Sequence, residues 1–258
     1  MHFYSLLANP KMLFRGFVAV YLREILIMKR RIKRLVLSMS VSPLLYLIAF
    51  GYAMGNEVKF NGHTYLEFLI PGLISMSSMT QAFAISTDIN VARFYWHIFE
   101  EFQAAPISNF SYVLGEVSAG LTRVVLSVSV IIVLGFLFGV KLDYLNPFLW
   151  SAVILNGFVF ASLAVGLAML VKSHADQTML SSFVITPMAF LGGTFFPVER
   201  LPIWAQKLIY LLPITHATYA IRKGAFGLIP TIKSYIILII LGLIFFFIAL
   251  KCVNQARD

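Results

Sequence analysis

Glu116 and Arg123 lie within a long apolar run, seven residues apart and therefore on nearly one face of a helix. Two chemistries are open to such a pair. Buried carboxylates near a membrane midplane can hold a coupling ion, or membrane charges can pair with a neighbouring helix or a lipid headgroup. Glu116 sits towards the cytoplasmic end of its run, which suits pairing better. Elsewhere the chain is poor in reactive groupings. His2, His63, His97, His174 and His216 are scattered without metal-ligand spacing, and no Ser, His and Asp set is placed as a triad. The phosphate-loop pattern GxxxxGK[ST] does not occur; Lys223-Gly224 has the residues in the reverse order. These residues give no metal site, no catalytic site and no nucleotide site of that kind.

Membrane helices are expected to carry Glu116 and Arg123. In the 258 residues, 60% are hydrophobic and 12% charged, against about 25% charged in a soluble domain. The expected class is an all-α integral membrane protein. A net charge of +9 points to a membrane surface rather than nucleic acid, because the basic residues crowd beside a hydrophobic run near the N-terminus. That run exceeds the core of a signal peptide, so no cleaved leader is expected. The single cysteine, Cys252, reads as a packing residue at the end of the last run.

Asn9 as cap and Pro10 at the first helical position open an amphipathic helix. Phe14, Phe17, Tyr21, Ile25 and Met28 share one side, while Arg15, Arg23, Arg30 and Arg34 fall in a basic arc with their lysine neighbours. Residues 1–34 are therefore read as a cytoplasmic interface helix and 35–258 as the transmembrane domain. Six spans are expected: 35–55, kinked at Pro43; 65–87, interrupted at Pro71 and Gly72; 112–140; 147–171; 178–196; and 234–250. Asp88, Asn90 and Arg93 mark the return to water after the second. The sequence ARFYWHIFEEFQAAPISN then reads as a short cytoplasmic helix and turn, with aromatics Phe94, Tyr95 and Trp96, acids Glu100 and Glu101, and a stop at Pro106.

Between the fifth and sixth spans, LGGTFFPVERLPIWAQKLIYLLPITHATYAIRKGAFG is apolar yet broken by Pro197, Pro202 and Pro213. Proline removes a backbone donor and clashes with the preceding turn, so this segment enters, stops and folds back near one surface. Gly192 and Gly193 permit close helix approach, Phe196 precedes the first proline, and Trp204 suits an interface. With the N-terminus inside, twelve of the 20 Lys and Arg fall in the cytoplasm: eight before the first run, then Arg93, Lys172, Lys251 and Arg257. Seven fall outside (Lys59, Lys141, Arg200, Lys207, Arg222, Lys223 and Lys233) and Arg123 falls in a span. The bias favours both termini inside, although Arg222, Lys223 and Lys233 oppose it.

The basic N-terminal helix, the six runs, the acidic turn ending Ala104-Ala105-Pro106-Ile107-Ser108 and the GG-x-FFP-x-x-x-LP-x-W run from Gly192 to Trp204 together resemble the permease subunits of ABC-2 type exporters, including nodulation-factor exporter permeases. Phe102 departs from the family's turn pattern, which has an aliphatic residue there. The resemblance implies a bacterial inner-membrane permease that pairs with a second, identical permease and two ATPase subunits, which bind the ATP and Mg; this chain carries no cofactor. It implies that Arg93, Phe94, Glu100, Glu101, Ala105, Pro106 and Ser108 form a coupling helix against the ATPase, and that two short external re-entrant helices lid the pathway. The cargo class is an amphipathic molecule: glycolipid, lipid-linked saccharide or polysaccharide, or hydrophobic drug. An ion-coupled secondary transporter is the alternative, and an intramembrane enzyme or scaffold a third reading.

Overall fold

The computed structural model describes residues 10–54, 59–60, 62–171 and 173–256. Asn9, Lys172 and Arg257, and most of the loop after the first run, lie outside them. The described chain is mostly helical, with connecting turns and one two-residue antiparallel pair, β1 (Lys59–Phe60) with β2 (His63–Thr64). Among the described residues, five helical segments are long and apolar enough to cross a membrane: Ile32–Gly51, Tyr65–Phe94, Asn109–Leu137, Pro147–Leu170 and Ile232–Gln255.

Helix α1 (Pro10–Arg30) ends at Arg31, and α2 (Ile32–Met54) begins beyond it, so the first long helix starts three residues before the expected boundary. Pro43 lies inside α2 without ending it. Helix α3 (Tyr65–Phe83) opens on a capping box: Glu67 N–H donates to Thr64 Oγ1 at 3.3 Å, and Thr64 N–H donates to Glu67 Oε2 at 2.7 Å. Pro71 and Gly72 do not interrupt it, contrary to expectation. Both are buried, and Gly72 lets the Thr194 backbone lie against the helix. The chain runs on through α4 (Ile85–Phe94), making one 30-residue segment.

After the short α5 (Ile98–Ala104), Ser108 caps α6 (Asn109–Leu137) by accepting from Ser111 N–H at 3.1 Å. Asn146 caps α7 (Pro147–Leu170) by accepting from Phe148 N–H at 2.9 Å. Both helices lie close to their expected bounds. The fifth run, in contrast, is composite: α8 (His174–Leu180), one π-helical turn (Ser181–Ile185) and α9 (Thr186–Leu191). Proline at position 187 would press its ring on the carbonyl four residues back, and the widened turn gives it room. Helix α9 ends at Leu191, five residues before the expected end of the run. Then come a 3₁₀ turn (Val198–Arg200), α10 (Ile203–Ile209), α11 (Pro213–Ala225) and α12 (Ile232–Gln255), the last longer than expected.

Helix α3 is the centre of the molecule, enclosed by α6, α7 and α11. Helix α12 packs along α7, and α1 lies along α6. Interhelical hydrogen bonds tie the centre together. Asn156 of α7 donates to the Ser75 carbonyl at 3.1 Å and to Ser78 Oγ at 2.7 Å, and Thr218 of α11 donates to Ser75 Oγ at 2.8 Å. Ser77 and Ser127 bridge α3 and α6 at 2.9 Å.

Candidate functional site

Three arrangements stand out, two of them near one end of the bundle. The first is the acidic turn. His97 is the one non-glycine residue with positive φ (51°) among the described residues, and it makes the sharp bend between α4 and α5. Below it, Phe99 is buried and meets the Tyr112 ring at 5.6 Å, and Phe102 meets the same ring at 5.5 Å. With both phenylalanines turned onto α6, Glu100 and Glu101 point outward; the Glu100 side chain is 73% exposed. Helix α5 ends at Ala104, Ala105 is extended, Pro106 cannot continue a helix, and Ser108 starts the next one.

Arg93 and Phe94 belong to the end of α4 rather than to the turn. The Arg93 guanidinium donates to the Met169 carbonyl at 2.8 Å and lies over the Phe94 and Phe99 rings at 5.2 and 5.7 Å. It therefore caps the C-terminal carbonyls of α7 and fastens the turn to it. Asn90 does not return to water as expected: it is fully buried and donates to Gln177 Oε1 at 3.1 Å, while Gln177 donates to Ser86 Oγ at 2.7 Å. A polar residue with interhelical partners does not need solvent.

The second arrangement is a cavity of about 310 Å³ among α1, α2, α4 and α6. Glu116 and Arg123 both line it, as their spacing on one face required. Arg123 donates to Asp88 Oδ2 at 2.6 Å and to Gln81 Oε1 at 3.1 Å, so this arginine is paired. Glu116 is 4% exposed. Arg23 and Glu24 join the lining and pair with each other. Burial raises the Glu24 carboxyl above its ordinary value; Arg23 opposes the shift and Asp88 adds to it. Arg23 thus turns inward, over the Phe102 ring at 5.6 Å, while Arg15, Arg30 and Arg34 stay exposed.

The third arrangement is the broken segment, which meets the other end of α3. Tyr65 donates to the Phe195 carbonyl at 2.9 Å, and His63 stacks on Phe226 at 3.9 Å. A Cβ on Gly192 would come 2.5 Å from Ile214, and Gly193 holds φ +82°, so both positions need glycine for stated reasons. Phe196 and Pro197 are half-buried and precede the 3₁₀ turn; Pro202 and Trp204 are exposed at the start of α10; Pro213 is buried at the start of α11. Thr218 reaches Ser75 and its neighbours, so α11 descends beside the first half of α3. Arg222 does not face solvent freely: it donates to the Gly193 carbonyl at 2.8 Å and lies 3.8 Å from the Phe68 ring centre.

The sequence marks Asp88 and Asn90 only as a return to water, and it does not single out Glu24, Gln177 or Ser86. Nothing local in the sequence marks Gln177 and Ser86 as partners of Asn90.

The sequence profile of the ABC-2 type transporter family matches residues 15–226. The chain is 28% identical over 222 residues to the inner membrane transport permease YadH of Escherichia coli K12, covering 84% of this chain and 86% of that protein. It is 31% identical over 218 residues to nodulation protein J of Rhizobium meliloti, covering 82% of each. Nodulation protein J of Neorhizobium galegae is 30% identical over 215 residues, again covering 82% of each.

Proposed function

The chain belongs to the ABC-2 type transporter family as a membrane transport permease, and from that premise we propose that it is the permease subunit of an ATP-driven exporter in a bacterial inner membrane. Two ATPase subunits bind ATP and Mg and do the hydrolysis. This chain and a second, identical copy form the pathway for an amphipathic molecule: a glycolipid, a lipid-linked saccharide or polysaccharide, or a hydrophobic drug. Both termini face the cytoplasm. The composite run 174–191 is the fifth of six spans, since its 18 residues at about 1.5 Å each nearly match a hydrocarbon core of about 30 Å. Helices α10 and α11 are the external re-entrant pair.

The observation that carries the reading is the braced acidic turn. Glu100 and Glu101 are offered outward by a short helix whose aromatic face is fixed to α6 and whose approach is fixed to α7 by Arg93. A partner closing on such a helix moves two spans as rigid bodies. Co-purification with an ATPase encoded beside it supplies the test. Glu100→Lys with Glu101→Lys is expected to lower the complex's ATPase activity while membrane insertion stays intact, and unchanged activity counts against the assignment.

The buried Glu116 beside Arg123 and Asp88 is the observation that favours the second reading, an ion-coupled carrier. That reading requires transport abolished by an uncoupler and indifferent to ATP.

A further inference from the structure

The charges of the cavity among α1, α2, α4 and α6 do not all pair with one another. Three carboxylates (Glu24, Asp88, Glu116) and three guanidinium groups (Arg23, Arg31, Arg123) line it. Glu24 takes Arg23, and Asp88 takes Arg123. What is left is one charge of each sign at different depths. Glu116 is buried and takes part in no ion pair among those of the described residues. Arg31, at the break between α1 and α2, is exposed at the mouth.

A carboxylate at such a depth is costly without a cation, and the space in front of it is large enough to admit one. The volume, about 310 Å³, reaches the lower end of the ~300–1,000 Å³ of small-molecule sites. Its remaining walls, Ile27, Met28, Leu35, Ile85, Val91 and Ala119 with the Trp96 ring, are mainly apolar and suit a hydrocarbon portion. We propose that this cavity binds the ammonium group of an amphipathic amine, with the ammonium against Glu116 and, where the ligand also carries a phosphate, that phosphate at Arg31.

An anionic ligand fits less well, because two of the three arginines already have carboxylate partners. Two sources share the ammonium chemistry: the headgroup of phosphatidylethanolamine and a soluble amphipathic amine. The proposal is independent of ATP coupling, since binding needs only this chain.

Native mass spectrometry of the purified full chain in a non-ionic detergent tests it, with phosphatidylethanolamine against phosphatidylglycerol and dodecylamine against dodecanol as probes. The ammonium-bearing member of at least one pair is expected to bind about tenfold tighter, and Glu116→Gln is expected to remove that preference. Ala119→Leu, which fills the cavity without changing charge, keeps the test decisive if the first variant fails to insert; it too must weaken binding. Preference for phosphatidylethanolamine alone assigns a lipid site, and preference for dodecylamine alone assigns a soluble amine. Arg31→Gln is expected to weaken phosphatidylethanolamine and leave dodecylamine unchanged; equal phosphatidylethanolamine binding removes the phosphate contact. No preference in either pair, or a preference that survives in Glu116→Gln and Ala119→Leu, overturns the proposal.

Discussion

Asn156 shows what a single polar side chain does in this bundle. Its amide donates to the Ser75 carbonyl and to Ser78 Oγ, and Ser75 Oγ in turn receives Thr218, so one residue of α7 organises contacts with α3 and α11. Interhelical hydrogen bonds of this kind contribute about 1 kcal/mol. Asn156→Ala is therefore expected to lower the melting temperature in detergent by about 2–4 °C, measured by the loss of folded chain on heating, and no shift would mean that the bond has no net worth. Arg222 shows how residue-level charge misleads when read alone. Counted as an external charge it opposed the orientation rule, but with its guanidinium over Phe68 and donating to Gly193 it is a packing group. Nothing near position 222 in the sequence announces Phe68 or Gly193. Glu116 and Arg123, separated by two helical turns on one chain segment, were placed together by spacing alone.

At the scale of elements, α1 is a helix from Pro10 onward, as expected, but its apolar periodicity does not show which residues pack on the bundle. The greasy side chains do not mark them: Phe14 is 66% exposed, while Gly16 and Val20 are buried against α6. In a membrane protein large apolar residues can face lipid, and helices meet where small residues let backbones approach. Ser111 Oγ donates to the Leu13 carbonyl at 2.9 Å, and Tyr21 and Thr122 hydroxyls meet at 3.0 Å along the same seam. A Cβ on Gly115 would lie 2.7 Å from Val20 Cβ, so Gly115→Ala must push the two helices apart. Overpacking of this kind costs about 1–3 kcal/mol. Trypsin cleavage within α1 is expected to become several-fold faster in that variant while the rest of the bundle stays resistant; an unchanged digestion rate would show that the seam yields without loosening. Pro71 and Pro187 illustrate the same limit of local rules, the first tolerated inside α3 and the second relieved by a π-helical turn rather than ending its helix.

At the scale of the whole molecule, the spans differ sharply in how far the chain itself covers them. In the most apolar 18 residues of Tyr65–Phe94 78% are buried, against 17% in those of Ile32–Gly51, with Leu37, Val41 and Leu45 outward on α2. Lipid or the proposed second copy must cover that face. A cysteine at Val41 or Leu45, in a Cys252→Ser background, is expected to cross-link in membranes to twice the 29.0 kDa chain mass, whereas one at the exposed Phe247 of α12 is not; the reverse pattern moves the interface to α12. Apolar length, caps and prolines act within a few residues of where they stand, so the membrane class, the acidic turn, the near-complete bounds of α6 and α7 and the breaks at Pro197, Pro202 and Pro213 are legible in the sequence, whereas the two short helices there are implied by the family resemblance. Long-range packing selects which side of α1 is packed, makes Asn90 and Arg222 internal partners, and turns Glu24, Asp88 and Glu116 to one cavity. Those outcomes depend on contacts between residues tens of positions apart, and a helix of given composition is compatible with many neighbours until close approach of small residues and satisfaction of buried polar groups select one.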